Sequence, residues 1–169
     1  MTLIDEISNQ VAKSDGGQRR SWAKRILEEE SISPFLLLLL DEATAARFSW
    51  LLGDLSDLNS KFAQDILKFM LTHPVPLKDT DRVMAKQYCL CTDELEESIE
   101  AKLIEIFFES ILKTKSPHEF DQVSRALMKV NKSYPELKKE YKEILELRLS
   151  QSDQKMQVKI SSALKKLEQ

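Results

Sequence analysis

Glycine, proline, cysteine and histidine are all scarce in this chain of 169 residues, and each scarcity removes a class of function. Three glycines, two of them the adjacent Gly16 and Gly17, leave little material for a phosphate-cradling loop, and no serine sits in a nucleophile elbow. Five prolines with so few glycines do not fit a protein built of sheets and turns. Cys89 and Cys91, in "CLC", and His73 and His118 are the whole stock of soft metal ligands, and a structural zinc needs four ligands converging on one point. Positions i and i+2 face different sides of a helix, and a disulfide across them is badly strained. Cys89 is expected in the core, and the chain is expected to hold no metal and no cofactor. His73 lies in a proline-rich break and His118 in a helix cap, and neither has a sequence partner for a catalytic triad or metal pair.

Long apolar runs are missing too. The most hydrophobic stretch, "PFLLLLL" at Pro34–Leu40, is far short of the ~20 residues that cross a bilayer. It reads as a short helix buried on all sides, with Ser33 as its cap and Pro34 in its first turn. The N-terminus has no basic start followed by an apolar segment, so no signal peptide is expected and the default compartment is cytoplasmic.

What remains is rich in leucine, glutamate, lysine, alanine and serine, which favours an all-α chain. Helices are expected over 2–13, 18–30, 34–40, 43–58, 60–72, 80–91, 94–113, 117–131, 134–150 and 153–167. "SPHE" at Ser116–Glu119 and "SYPE" at Ser133–Glu136 read as capping boxes, and "THPVPLKD" at Thr72–Asp79 breaks the chain between helices.

The helical segments repeat. Shifting the sequence by 75 positions sets Phe48, Leu51, Leu52 and Leu55 on Val123, Ala126, Leu127 and Val130, and then Phe62, Ile66, Phe69 and Met70 on Leu137, Tyr141, Ile144 and Leu145. A shift of 37 reaches Ala85, Tyr88 and Cys89, followed by Ile99, Leu103, Ile106 and Phe107. Two helices in 37 to 38 residues form a unit that cannot bury its own apolar face and must stack on its neighbours. One continuous core is expected from Phe48, Leu52, Leu55, Phe62, Ile66, Phe69, Leu103, Phe107, Leu127, Val130, Leu137 and Ile144.

In "RFSWLLGDLSDLNSKFAQDILKFM" and in the stretch from Val123 to Gln169 the pattern resembles HEAT-like repeats of the armadillo-type α-α superhelix, in particular small bacterial HEAT-like proteins of unassigned role. The resemblance implies a right-handed superhelix forming one domain over 1–169. Residues 1–41, around Trp22, Ala23, Ile26 and Leu27, would be an atypical cap unit, and 42–169 the regular repeats. It further implies a scaffold that binds a protein partner without catalysis, since most such solenoids are platforms. The alternatives it brings are nucleic-acid binding or a DNA-glycosylase-like enzyme. All-helical lyases of the adenylosuccinate lyase type carry a serine-rich loop with Met-Pro-x-Lys-x-Asn, and no stretch here matches it.

The charge balance bears on the partner. The net charge is −3, yet residues 1–110 hold 12 Lys/Arg against 20 Asp/Glu and residues 111–169 hold 13 against 8, so an electrically bipolar molecule is expected. Arg125, Lys129 and Lys132 form one basic row, and Lys155, Lys159 and Lys166 form another. With Trp50, which lies beside the apolar stripe, they are the candidate partner-binding residues. Such rows suit an acidic protein segment, while the acidic remainder argues against nucleic acid. The acids of Glu28–Glu30 and of Glu94, Glu96, Glu97, Glu100, Glu105 and Glu109 read as a solvated face. Oligomeric state and small-ligand binding stay open.

Overall fold

The structure, a computed structural model, describes all residues from Met1 to Gln169. The chain is all-helical and has no strand. In order the helices are α1 (Leu3–Gln10), α2 (Gly16–Ile26), α3 (Ser33–Leu36), α4 (Ala45–Leu58), α5 (Ala63–Thr72), α6 (Thr80–Leu90), α7 (Glu97–Lys113), α8 (Pro117–Ser133), α9 (Lys138–Gln151) and α10 (Gln154–Glu168), with 3₁₀ turns at Val11–Lys13, Leu37–Leu39 and Pro135–Leu137. No helix is long and apolar enough to cross a membrane.

The helix ends follow from local chemistry. The two-proline break is where α5 stops and α6 has not begun. α2 ends at Ile26 rather than running to residue 30, because Glu28, Glu29 and Glu30 would stack negative charge on the negative end of its dipole. Lys61 Nζ donates to the carbonyls of Leu27 (3.0 Å) and Glu29 (2.8 Å), supplying the cation that such an end favours. Reciprocal capping boxes form at Thr2–Asp5 and Asp15–Gln18. Of the box expected at Ser116–Glu119 only the cap bond forms: Ser116 Oγ accepts from the Glu119 amide, while Glu119 Oε1 lies 3.3 Å from Ser110 Oγ instead of on the cap amide. The expected box at Ser133 is absent: the ladder of α8 continues through Ser133, and the Tyr134 amide donates to Val130 O at 2.7 Å. Ser33 likewise lies inside α3, whose cap residue is Ile32.

Two compact units make up the chain, Met1–Leu95 and Glu96–Gln169. In the first, α4 packs against α2 and α6, α5 against α6, and the 3₁₀ turns at Val11–Lys13 and Leu37–Leu39 also close on α4. Residues on both sides of position 41 therefore share one core, which includes Ile7, Ile26, Leu39, Phe48, Leu52, Leu55 and Ile66. The leucine run is not buried all round: Phe35, Leu36 and Leu39 point inward, but Leu37 is 58% exposed, because so short a segment meets neighbours on one side only.

Trp22 is buried, and its Nε1 donates to Glu6 Oε1 at 2.8 Å while Arg25 closes an ion pair on the same carboxylate at 2.8 Å. It braces α1 against α2. These bonds, that from Trp22 first, hold the Glu6 carboxyl below its ordinary value. A depressed folded value means that the contribution is complete above the ordinary glutamate value of 4.5 and is lost as pH falls through the lower folded one. Acid unfolding followed by circular dichroism is accordingly expected to steepen below that value in the parent protein more than in Glu6→Gln; equal slopes would mean that the brace adds nothing.

In the second unit α7 packs on α8 and α9, and α10 on α8 and α9. Its core holds Leu103, Phe107, Phe120, Leu127, Val130, Tyr141, Leu145 and Ile160. The Tyr141 hydroxyl, pushed up to about 12 by burial, lies 2.6 Å from Ser124 Oγ. With 11 Lys/Arg and 15 Asp/Glu in the first unit and 14 and 13 in the second, the charge contrast along the sequence is much smaller between units, a net −4 against +1. Glu96, Glu97, Glu100, Glu105 and Glu109 fall in the same unit as the basic rows.

Burial tests the repeat frame residue by residue. Under the 75-residue shift all four pairs of α4 with α8 are buried on both sides. In α5 and α9 the pairs Ile66–Tyr141 and Met70–Leu145 are buried, while Phe69 and Ile144 are both half-buried. Phe62 is buried and Leu137 half-buried, and each is the residue just before its helix. Nine of the twelve expected core residues are buried; Phe69, Leu137 and Ile144 instead sit at the margin of the stripe. In α6 the 37-residue frame holds at Ala85 and Tyr88, both buried, and misses at Cys89. Cys89 is half-buried rather than in the core, because α6 turns Val83, Met84, Gln87 and Tyr88 inward and ends at Leu90.

Candidate functional site

Trp50, on α4, is 46% exposed. Arg47 precedes it by one turn on the same helix, and i, i+3 spacing lays its guanidinium carbon 4.4 Å from the ring centroid. Packing of α2 on α4 brings Arg19 over the ring as well, at 5.3 Å. Arg19 is itself held: its Nη1 donates to Ser14 O at 2.9 Å, and its Nε stands 3.6 Å from Asp54 Oδ2. Each cation–π contact is worth ~0.5–1 kcal/mol at an exposed site, so the two fix the indole without covering it.

Beside the ring, α4 and α6 leave a cavity of about 140 Å³, walled by Trp50, Gly53, Asp54, Asp57, Arg82, Lys86 and Gln87. Most of its charges are matched. Lys86 Nζ meets Asp57 Oδ1 at 3.0 Å, and Arg82 meets Asp79 Oδ2 at 2.6 Å. Gln87 is the exception: it is 1% exposed, its Oε1 lies 2.9 Å from Ser56 Oγ, and its Nε2 is buried with no partner. A buried amide proton without an acceptor costs ~1–3 kcal/mol, and such groups concentrate where a ligand or water completes them. Both lining carboxylates are paired, Asp54 with Arg19 and Asp57 with Lys86, and no histidine or cysteine is among the walls.

The basic rows lie in the second unit. Arg125, Lys132, Lys155 and Lys166 are exposed, while Lys129 and Lys159 are half-buried. Lys159 reaches from α10 to Asp121 of α8 at 2.6 Å, so its charge is neutralised. Asp121 stands one turn before Arg125, which brings the two rows onto adjoining helices at that point. On α9, Lys142 pairs with Glu168 at 3.5 Å and Glu146 at 3.9 Å, and Lys139 with Glu143 at 3.9 Å; exposed pairs of this kind contribute little.

Other candidates have structural partners. His73 stacks on Phe69 with centroids 4.0 Å apart, and its Nδ1 lies 3.0 Å from Phe69 O at the end of α5. His118 is exposed in the first turn of α8. Neither cysteine is in a disulfide, and no group of three or more His, Cys, Asp or Glu side chains is placed to hold a metal ion. The acids of Glu94–Glu109 are exposed except Glu100, which accepts from the Tyr134 hydroxyl at 2.7 Å. That bond and the neighbouring charge raise the Tyr134 hydroxyl above its ordinary value.

Of the residues singled out in sequence, Trp50 stands at a cavity; its partners Arg19, Arg47 and Gln87 were not singled out. Gln87, 37 positions after Trp50, falls where the repeat frame sets a residue beside the stripe, yet it is 1% exposed, so nothing in the sequence signalled it. No protein-family model, no curated protein and no solved structure matches the chain.

Proposed function

We propose that this chain is a HEAT-like helical-repeat scaffold, of the right-handed α-α superhelix type, that binds a protein partner and performs no chemistry of its own. The observation that carries the reading is Trp50: a large aromatic left half in solvent, immobilised by Arg19 and Arg47, beside a cavity with an unsatisfied buried amide. Tryptophan and arginine dominate the residues that carry binding energy at protein interfaces, and a ring already fixed in place loses little entropy on docking. The shared burial pattern of α4–α5 and α8–α9 supports the repeat reading.

Affinity capture from the native organism with the parent protein and with Trp50→Glu, compared by quantitative mass spectrometry, tests it. At least one protein is expected in stoichiometric amount with the parent and depleted with the variant. Identical captures would remove Trp50 from the interface, and no stoichiometric capture would remove the scaffold reading.

The nucleic-acid alternative rests on Arg125, Lys132, Lys155 and Lys166, and the neutralised Lys159 and the acids of the same unit weaken it. Labelled duplex DNA titrated at ~0.15 M salt is expected to bind weakly or not at all, since screening leaves scattered exposed charges little reach. Submicromolar binding that disappears in Arg125→Glu with Lys129→Glu would bring the alternative forward.

A further inference from the structure

We infer that the second unit carries a docking surface of its own, a groove between α7 and α9 that takes an amphipathic helix whose apolar stripe is flanked by lysine or arginine. It lies on other helices than Trp50 and stands or falls separately from the interface placed there.

Two helices running in the same direction build the groove. Phe108 of α7 meets Tyr141 of α9 edge to face at 6.5 Å, and further along Arg148 of α9 reaches the carbonyls of Ile111 and Thr114 at the end of α7. On α7, Ile104, Phe108 and Leu112 follow one another at i, i+4 and i+8, a single stripe beside the buried Leu103, Phe107 and Ile111. On α9, Ile144 stands one turn after Tyr141 and one turn before Arg148, on the side that faces α7, and Leu147 follows it by a further turn. These contacts bring Leu112 to the level of Leu147. Both are well exposed, at 46% and 52%, while Ile104, Phe108 and Ile144 are half-buried. A lone exposed leucine means little, but apolar side chains on adjoining helices make a continuous strip that the rest of the chain leaves uncovered.

Shape and charge select the occupant. Both walls spend their backbone groups within helices and the chain has no strand, so an extended segment finds no edge to pair with. A helix with anchors at i, i+3, i+4 and i+7 does fit, and the stripe on α7, about 12 Å long at ~1.5 Å per residue, matches two of its turns. The flanks are acidic. Glu105 stands one turn before Phe108, and Glu140 and Glu143 stand one turn before Ile144 and Leu147, all three exposed. Glu105 and Glu140 enter no ion pair, and Glu143 meets only the exposed Lys139, at 3.9 Å. Arg148 is committed to the two carbonyls. Basic flanks complement these carboxylates, whereas nucleic acid or an anionic lipid surface would press phosphates against them.

A phage library of helical peptides with a fixed leucine stripe and randomised flanking positions, selected against the full chain, tests this. Enriched peptides are expected to carry Lys or Arg in the flanks. Their affinity, measured by fluorescence anisotropy, should fall about tenfold or more in Leu112→Asp with Leu147→Asp, and likewise in Glu105→Lys with Glu140→Lys. In Trp50→Glu it should stay within about twofold, since that residue lies in the other unit. All four groove substitutions are at exposed positions, and a matching circular dichroism melt verifies that the fold is kept. Enrichment of acidic flanks, binding that survives both groove variants, or a library that yields no binder would each overturn the inference. So would a dimer of the chain alone in analytical ultracentrifugation that Leu147→Asp dissociates, because the occupant would then be a second copy.

Discussion

Leu127→Ala and Leu52→Ala are each expected to lower the free energy of unfolding by ~2–5 kcal/mol, the cost of removing a fully buried leucine and leaving a cavity. Both residues are 0% exposed, one in each compact unit, and they occupy the same place in α8 and α4. If the proposed repeat relates α4 to α8, the two losses should be similar, which urea unfolding measures. A loss under about half a kcal/mol at either site would mean that its neighbours collapse into the space or that the helix faces outward. Strongly unequal losses would count against treating α4–α5 and α8–α9 as copies of one unit.

Arg148→Met is the other substitution with a large expected effect. The α9 guanidinium donates through Nη1 to Ile111 O at 2.6 Å and through Nη2 to Thr114 O at 2.7 Å, at the C-terminal end of α7, and its carbon lies 5.8 Å from the Phe120 ring. It satisfies two carbonyls that a helix end otherwise leaves orphaned, and it sets a positive charge on the negative end of the dipole. Burial lowers its pKa from the ordinary arginine value, a sign that the group has given up water for these bonds. Hydrogen bonds to a charged group contribute ~1.5–3 kcal/mol, and methionine keeps the apolar stem while removing both. A fall in stability of that size is expected in thermal melts. Arg148→Lys should recover only part, because one ammonium cannot reproduce a planar fork that reaches two carbonyls. Full recovery by lysine would mean that charge alone is at work.

The contrast between α8 and α6 shows what could be read in the sequence and what could not. In α8 the apolar residues recur at helical spacing without interruption, a proline and a serine mark the start, and the inward face follows from the pattern. In α6 the helix ends at Leu90, so a frame borrowed from the longer α4 places Cys89 inside and overlooks Gln87. A glutamine at an inward position reads as surface until its partner is known, and Ser56 sits on another helix. Trp50 shows the same division. Its exposure followed from its place beside the stripe, but Arg19 reaches it only because α2 packs on α4. Local periodicity decides elements, and contacts between distant residues decide sites. Charge misled in a related way: the acidic and basic halves of the sequence meet inside one unit, since the boundary at Leu95 was not marked by composition.

Hydrogen–deuterium exchange of the chain alone and in complex with a captured partner tests most directly the claim that this is a protein-binding scaffold acting through Trp50. The account predicts slowed exchange in α4 from Arg47 to Asp57 and in the facing turns of α6, absent when the same partner is mixed with Trp50→Glu. Slowed exchange confined to α8 and α10, or none anywhere in the chain, would contradict it.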